Sequence, residues 1–378
     1  MTCTYATGPV RCYRERVAEF WEWFRQNETR LSEYIRHLDD YEAEEVVSFL
    51  AGGLNRAIEG CLFEIGGNFE VSLASDGNAA LILLSDYLCR NIPFEYAEKW
   101  RFTPWKQAMP QGCLQVSGMR LGAEDVLVHP SRAKGENSFS LDFYSDELNG
   151  LEEDQRYQAF FLLLEMCLGE NICLGFIGDV EQADGLRAGM FPLSALPCYM
   201  RKELEAEGRD LPDDYNPGLA YAGYSMEPPG LDGDEGGHAE ETPSRREVIA
   251  GFTRLPDLLD DYCAGDGSPL YERLADNGAR PVFLVLPRSH PHPADHQQDL
   301  DLCNEIAARL EDEILGETGS GREIGIVLGQ AMGLDYCYID LLLYDERAFL
   351  NRAGQVLSAY GLEAALREFR PDSSAMFL

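Results

Sequence analysis

Basic residues are scarce in this chain. Its 378 residues include 31 lysines and arginines against 66 aspartates and glutamates, which gives a formal net charge of −35 at pH 7. A field of this sign repels the phosphates of nucleic acids and anionic lipids, so the composition argues against binding to DNA, RNA or a membrane surface. It favours a basic protein as partner.

Paired cysteine motifs are also missing. No Cys-x-x-Cys occurs, and the number of cysteines, 11, is odd, which does not fit a disulfide framework. Cys61, Cys167 and Cys337 lie within apolar stretches, where a thiol behaves as a small core residue. The pattern favours reduced thiols in a cytoplasmic protein.

Long apolar runs are absent as well. No segment approaches the roughly 18 apolar residues that a membrane span requires. The first residues, MTCTYATGPVRCYRER, have no apolar core of the kind found in signal peptides. Hydrophobic residues nevertheless make up 45% of the chain, which is sufficient for packed interiors. We therefore expect a soluble, cytoplasmic, folded protein.

The length exceeds what one hydrophobic core usually organises, so two domains are expected. We predict an N-terminal α+β domain over residues 1–205, with helices packed on an antiparallel sheet. Residues 206–245 are rich in proline, glycine and acid, and they predict a linker or long loop. A second α+β domain is predicted over residues 246–378.

Hydrophobic periodicity locates the main elements. Apolar residues at a spacing of three to four predict helices over residues 16–38 and 42–58. Residues 61–65 and 69–73 predict two strands, joined by a hairpin turn at Gly66-Gly67-Asn68.

The C-terminal segment has the clearest pattern. We predict strands over residues 282–287, 322–329 and 335–345, a helix over 299–316, a second helix beginning ERAFL, and a short final strand at AMFL. The order β-α-β-β-α-β predicts a ferredoxin-like sandwich, with two helices on one face of an antiparallel sheet.

A histidine cluster raises the question of a metal site. SHPHPADH, at 289–296, resembles the H-x-H-x-D-H motif of metallo-β-lactamase-like hydrolases, and its possible ligands are His290, His292, Asp295 and His296. The spacing is one residue too long, and no histidine follows that would complete a zinc site of that fold. Our main interpretation is an exposed connection without a cofactor, and the alternative is a metal-dependent hydrolase.

Two further motifs and two cysteines are of residue types that can carry chemistry. SRAK, at 131–134, matches a serine-nucleophile motif, but it lies among turn residues and no K-T-G occurs. GSGREIG, at 319–325, follows a predicted helix, whereas phosphate-binding glycine loops follow a strand. We interpret both as loops. Cys198 and Cys263 lie outside the apolar runs and remain candidates for a nucleophilic cysteine.

The segment DYCYIDLLLYD predicts a strand with two different faces. Alternation places on the first face Cys337, Ile339, Leu341 and Leu343, which we expect to pack under the helices. It places on the second face Tyr336, Tyr338, Asp340, Leu342 and Tyr344. Tyrosine-rich faces are typical of recognition surfaces, so we expect this face to be open to a partner, or else to pack on the N-terminal domain.

Three segments carry a resemblance: FWEWF, FEIGGNFEVSLASDG and GLDYCYIDLLLYDERAFL. On these residues the chain resembles a family of uncharacterised bacterial proteins that are acidic and have no established activity. In charge and general character it is also similar to immunity proteins of toxin systems and to acidic regulators of ribonucleases.

The leading hypothesis is a non-enzymatic protein that binds a basic toxin or nuclease. Its predicted contacts are Tyr336, Tyr338, Asp340 and Tyr344, with four further candidates: Trp23, Asp232, Asp234 and Glu235.

Overall fold

The computed structural model describes residues 11–37, 41–226, 245, 247–265, 268–288 and 296–378. It contains 43% helix and 24% strand, so the predicted α+β class is confirmed. The chain divides into two compact units. Unit 1 comprises Met1–Cys61, Tyr87–Ala97 and Tyr221–Leu378, and unit 2 comprises Leu62–Asp86 and Glu98–Ala220.

Each unit is built from segments that are separated in sequence. The predicted domains, 1–205 and 246–378, are each a single continuous segment. The N-terminal helix belongs to the same unit as the C-terminal segment, because the first turn of this helix donates hydrogen bonds to that segment. The Tyr13 N–H donates to the Gly278 carbonyl at 2.9 Å, and the Arg14 N–H donates to the Tyr344 carbonyl at 3.2 Å.

Unit 1 contains an antiparallel sheet and helices on both of its faces. Its helices are α1 (Tyr13–Arg36), α2 (Ala43–Leu54), α4 (Phe94–Ala97), α8 (Pro256–Ala264), α9 (Pro269–Asp276), α10 (His296–Leu310) and α11 (Glu346–Ser358). Its strands are β10 (Ala222–Ser225), β11 (Val248–Thr253), β12 (Arg280–Pro287), β13 (Gly325–Gly333), β14 (Tyr336–Leu343), β15 (Ala365–Glu368) and β16 (Met376–Phe377). The sheet order is β10-β11-β13-β14-β12-β15-β16.

One face of this sheet packs under α10 and α11, as the sequence predicts. The buried side chains come from both helices and from the inward positions of β12 and β14. They include Ile306, Leu310, Phe349, Leu357, Leu284, Cys337, Ile339, Leu341 and Leu343. The first predicted face of DYCYIDLLLYD is therefore a core face.

Unit 2 contains smaller sheets around a separate core. Its elements are β1 (Leu62–Gly66), β2 (Glu70–Ala74), β3 (Arg101–Thr103), β4 (Cys113–Val116), β5 (Met119–Gly122), β6 (Leu127–Ser131), β7 (Phe139–Tyr144), α5 (Glu153–Leu168), α6 (Glu170–Phe176), β8 (Ile177–Gln182), β9 (Phe191–Pro192) and α7 (Leu196–Glu205). Helix α3 (Ala79–Arg90) follows β2. The sheets are β1-β2-β3, β4-β5 and β8-β7-β6-β9.

The predicted hairpin is confirmed. β1 and β2 pair antiparallel from Leu62 opposite Ala74 to Gly66 opposite Glu70. Phe69, in the turn, has a φ of 61°, a left-handed conformation that few residues other than glycine, asparagine and aspartate adopt. β3 then adds to β2 in parallel.

The first half of the predicted linker is ordered by its tyrosines. The Tyr215 ring lies 4.8 Å from that of Phe176, and the Tyr221 ring lies 5.1 Å from that of Phe252. Tyr224 belongs to β10, which pairs with β11. Residues 227–244 lie outside the described part of the chain.

Among the described residues, no single helix has the length and apolar character needed to cross a membrane. Helices α5 and α6 meet the length and composition criteria when taken together, but they are two helices with a bend of 106° between them.

Candidate functional site

The predicted recognition face of β14 is not open to solvent. Tyr338, Asp340 and Tyr344 are 0%, 1% and 2% exposed, and only Tyr336 is half-buried. The expectation of an exposed tyrosine-and-acid surface is therefore wrong. The covering elements belong to unit 1 itself.

Helix α8, which was not predicted from the sequence, contributes to this cover. The Tyr262 ring, in α8, lies 5.8 Å from the Phe283 ring of β12 and 5.8 Å from the Phe369 ring. At the far end of β14, the Tyr344 ring lies 5.7 Å from Tyr13 of α1. Aromatic packing therefore occupies the face that was expected to contact a partner.

Asp340 forms a buried ion pair with Arg245. Each side chain is 2% exposed, and the Arg245 Nη2 also donates to the Tyr224 hydroxyl at 2.7 Å. Burial raises the pKa of Asp340 even though Arg245 acts in the opposite direction. Burial also opposes the charge of Arg245, but Asp340 holds the pKa of the guanidinium above its usual value. Arginine stays charged in proteins, so the Asp340 carboxylate is its counter-ion.

Aromatic rings complete the surroundings of this guanidinium. Its central carbon lies 5.4, 5.2 and 5.3 Å from the ring centroids of Phe283, Tyr338 and Phe369. Such distances are within the range of cation–π attraction. The cluster encloses its own cation, and we interpret it as structural.

The other predicted residues fall into two groups. Trp23 is half-buried and packs between helices α1 and α2, since its ring lies 5.4 Å from that of Phe49 and a side chain at Gly53 would overlap it. The remaining positions are outside the described residues: Asp232, Asp234, Glu235, His290, His292 and Asp295.

His296 begins α10, and its side chain is not among those described. Within the described ranges, no group of three histidine, cysteine, aspartate or glutamate side chains is arranged to hold a metal ion. The hydrolase hypothesis remains a prediction.

Unit 2 carries an open groove of about 650 Å³ that was not predicted from the sequence. One wall is the polar face of the β1-β2-β3 sheet. Strand register places Glu64 opposite Ser72 and Glu70 opposite Arg101, and cross-strand partners share a face. In the sequence these polar residues alternate with Phe63, Ile65, Val71 and Leu73, and this alternation could have predicted a polar face of the sheet.

The opposite wall combines apolar and polar groups. The segment after β3 contributes Gln107, Ala108 and Met109, and the junction of α5 and α6 contributes Leu168, Asn171 and Ile172. Asp213 completes this wall. Among the described residues, the charged side chains that line the groove are the carboxylates of Glu64, Glu70 and Asp213 and the guanidinium of Arg101. Arg101 lies 3.5 Å from Glu70. The groove therefore combines an acidic rim, formed by these carboxylates, with apolar side chains on the wall that faces the β1-β2-β3 sheet.

A buried carboxylate fixes the groove walls. Glu170 is fully buried, and its Oε1 accepts from the Ser75 N–H at 2.9 Å and from the Ser75 hydroxyl at 2.7 Å. Its Oε2 accepts from the Lys106 N–H at 3.0 Å. Ser75 follows β2 and Lys106 follows β3, so Glu170 holds the ends of both wall strands to the start of α6.

The two candidate nucleophilic cysteines, Cys198 and Cys263, are both exposed. Within the described part of the chain, no hydrogen bond joins the Cys198 sulfur to a base. By contrast, Cys89 and Cys167 are buried. Burial raises the pKa of Cys167 to about 11 and holds that of Cys89 well above its usual value.

This contrast predicts a labelling order. At neutral pH iodoacetamide should modify Cys198 and Cys263 at least about tenfold faster than Cys89 and Cys167, because reaction requires an accessible thiolate. Peptide mapping by mass spectrometry over time measures the four rates. Cys198→Ser should remove one fast site and leave Cys167 slow. Equal rates at all four cysteines would contradict the described burial.

Comparison of the chain with protein-family models, with curated proteins and with solved structures found no match.

Proposed function

We propose that this protein binds a basic protein partner through the groove of unit 2, as an immunity or inhibitor protein neutralises a toxin or nuclease. The observation that carries the proposal is the combination of acidic and apolar side chains in one groove. Lysine and arginine side chains have long apolar stems and charged ends, so they match both parts. Glu64, Glu70 and Asp213 would bind the charged ends, and Met109, Leu168 and Ile172 would contact the stems.

The charge of the whole chain supports the same class of partner. A net charge of −35 accelerates the approach of a cation and slows that of an anion. Rim charges act mainly on association, whereas the groove supplies the specific contacts. We place this activity in the cytoplasm, because the thiols at Cys89, Cys167 and Cys303 are free and buried.

We also propose that part of unit 1 is a ferredoxin-like core. The strand order β13-β14-β12-β15, with antiparallel neighbours, supports this, as do α10 and α11 on a single face. Strands β10, β11 and β16 extend the sheet at its two edges.

A charge-matched pair of variants tests the groove. A fluorescent peptide rich in lysine and arginine is titrated against the wild type, against Glu64→Gln/Glu70→Gln and against Glu203→Gln/Glu205→Gln. The control residues are exposed on α7 and do not line the groove. Both variants lose two negative charges, so the long-range field changes equally. We expect the groove variant to bind about tenfold more weakly and the control to bind like the wild type.

Equal weakening in both variants would contradict the proposal, because only net charge would then attract the peptide. Circular dichroism checks that both variants are folded.

A further inference from the structure

A cavity of about 480 Å³ in unit 1 is lined by several arginines. It lies between α1, the segment after α3 and the loop before β13. Among the described residues, its charged lining consists of three arginines, Arg14, Arg25 and Arg322, and one glutamate, Glu22. The chain has twice as many acids as bases, so an excess of arginine over acid in one lining is a local departure from its composition.

The loop that brings Arg322 to this cavity is the glycine-rich GSGREIG segment. Gly319 and Gly321 have φ values of 91° and 71°, in the left-handed region that favours glycine. They also permit close approach, since a Cβ at Gly319 would lie 2.7 Å from Nη1 of Arg90 and one at Gly321 would lie 3.3 Å from the Arg90 carbonyl oxygen. The glycines are therefore required to seat the loop against the end of α3.

A buried carboxylate fixes the shape of the loop. The Glu323 side chain is 2% exposed, and it accepts from the Gly319 N–H at 3.1 Å and from the Ser320 hydroxyl at 3.0 Å. It also lies 3.6 Å from Arg90. The Gly319 N–H thus already donates to a carboxylate of the protein. An external anion would therefore be bound by arginine side chains rather than by this backbone group.

The three arginines differ in their existing partners. Arg14 lies 3.3 Å from Asp345, and Arg25 pairs with Glu22 and lies 3.5 Å from Glu95. Arg322 is exposed, and within the described ranges it has no carboxylate partner. The site therefore includes at least one guanidinium whose hydrogen-bonding groups face solvent.

We propose that this cavity binds a small anion that carries phosphate or carboxylate groups. The planar guanidinium matches both groups with two parallel hydrogen bonds, and several arginines together favour a ligand with more than one negative group. The apolar floor at Val17 and Trp21 excludes water from one side of the site. The negative field of the whole chain is screened at physiological salt beyond about 8 Å, so it slows the approach of the anion more than it weakens the bound contacts.

Pyrophosphate, inorganic phosphate and citrate test the proposal on the full-length protein. Each is titrated at constant ionic strength in chloride, with tryptophan fluorescence and calorimetry as readouts, since Trp21 lines the cavity. We expect saturable binding of a multivalent probe, weakened about tenfold by Arg322→Gln and by Arg25→Gln. Arg352→Gln, at an exposed position on α11, makes the same charge change outside the cavity and should bind like the wild type.

The probes also distinguish phosphate ligands from carboxylate ligands. Tighter binding of pyrophosphate than of citrate assigns the site to phosphate ligands, and the reverse order assigns it to carboxylates. Absence of saturable binding for all three probes would overturn the proposal. So would equal affinities for Arg322→Gln, Arg25→Gln and Arg352→Gln, with all three variants folded by circular dichroism.

Discussion

Replacement of Asp340 by alanine is expected to lower the free energy of unfolding of unit 1 by about 3–5 kcal/mol. The substitution leaves Arg245 charged and enclosed, and its remaining contacts among the described residues are the Tyr224 hydroxyl and three aromatic rings. A buried charge without its counter-ion carries its full desolvation penalty. Hydrogen exchange of the β14 amides measures the loss within this unit.

Two comparisons separate the ion pair from general damage. Glu313→Ala removes an exposed partner of Arg309 and should change the free energy of unfolding far less, because solvent screens an exposed ion pair. The double variant Arg245→Met/Asp340→Leu replaces the pair by apolar side chains and should recover most of the loss. If Asp340→Ala costs no more than Glu313→Ala, the Arg245 cluster does not stabilise unit 1.

The secondary structure could be predicted where one periodicity dominates the sequence. The predicted helix 16–38 is α1 (Tyr13–Arg36), and the predicted strand 282–287 lies within β12 (Arg280–Pro287). The last strand of the C-terminal pattern was misplaced. It was expected at AMFL, but the strand that follows α11 and pairs with β12 is β15 (Ala365–Glu368), and β16 at AMFL pairs with β15.

Two short helices were not predicted, and they changed the interpretation of β14. Both begin with proline, at Pro256 and Pro269, a residue that favours the first turn of a helix. In the first of them Leu258, Leu259 and Tyr262 have helical spacing and are buried. With these helices in place, the alternation of β14 indicates two buried faces instead of one.

The error over Asp340 has a general physical reason. Alternation along a strand shows which side chains share a face, but not which elements cover that face. An aspartate among tyrosines is typical both of a recognition surface and of a buried ion pair. The distinction depends on Arg245, which is 95 positions away in sequence and was assigned to the linker. The groove of unit 2 was missed for a similar reason, because Asp213 and Glu64 meet only through the fold.

Replacement of Glu170 by alanine is expected to lower the free energy of unfolding of unit 2 by about 3–5 kcal/mol. The change removes the acceptor of three donors, the Ser75 N–H, the Ser75 hydroxyl and the Lys106 N–H. Each buried donor that loses its partner costs about 1–3 kcal/mol, and repacking offsets part of the sum. Hydrogen exchange of the β2 amides, with those of β14 as an internal reference, localises the effect.

Glu170→Gln distinguishes hydrogen bonding from volume. Its amide oxygen still accepts from Ser75, but its NH₂ group faces the Lys106 N–H, where two donors oppose each other. We therefore expect a loss smaller than that of alanine but larger than that of Glu203→Gln, an exposed change on α7. An Ala variant as stable as the wild type would show that water replaces the carboxylate. The walls of the groove would then be held by the strand pairing of β1, β2 and β3 alone, and Glu170 would have no part in positioning the acidic rim.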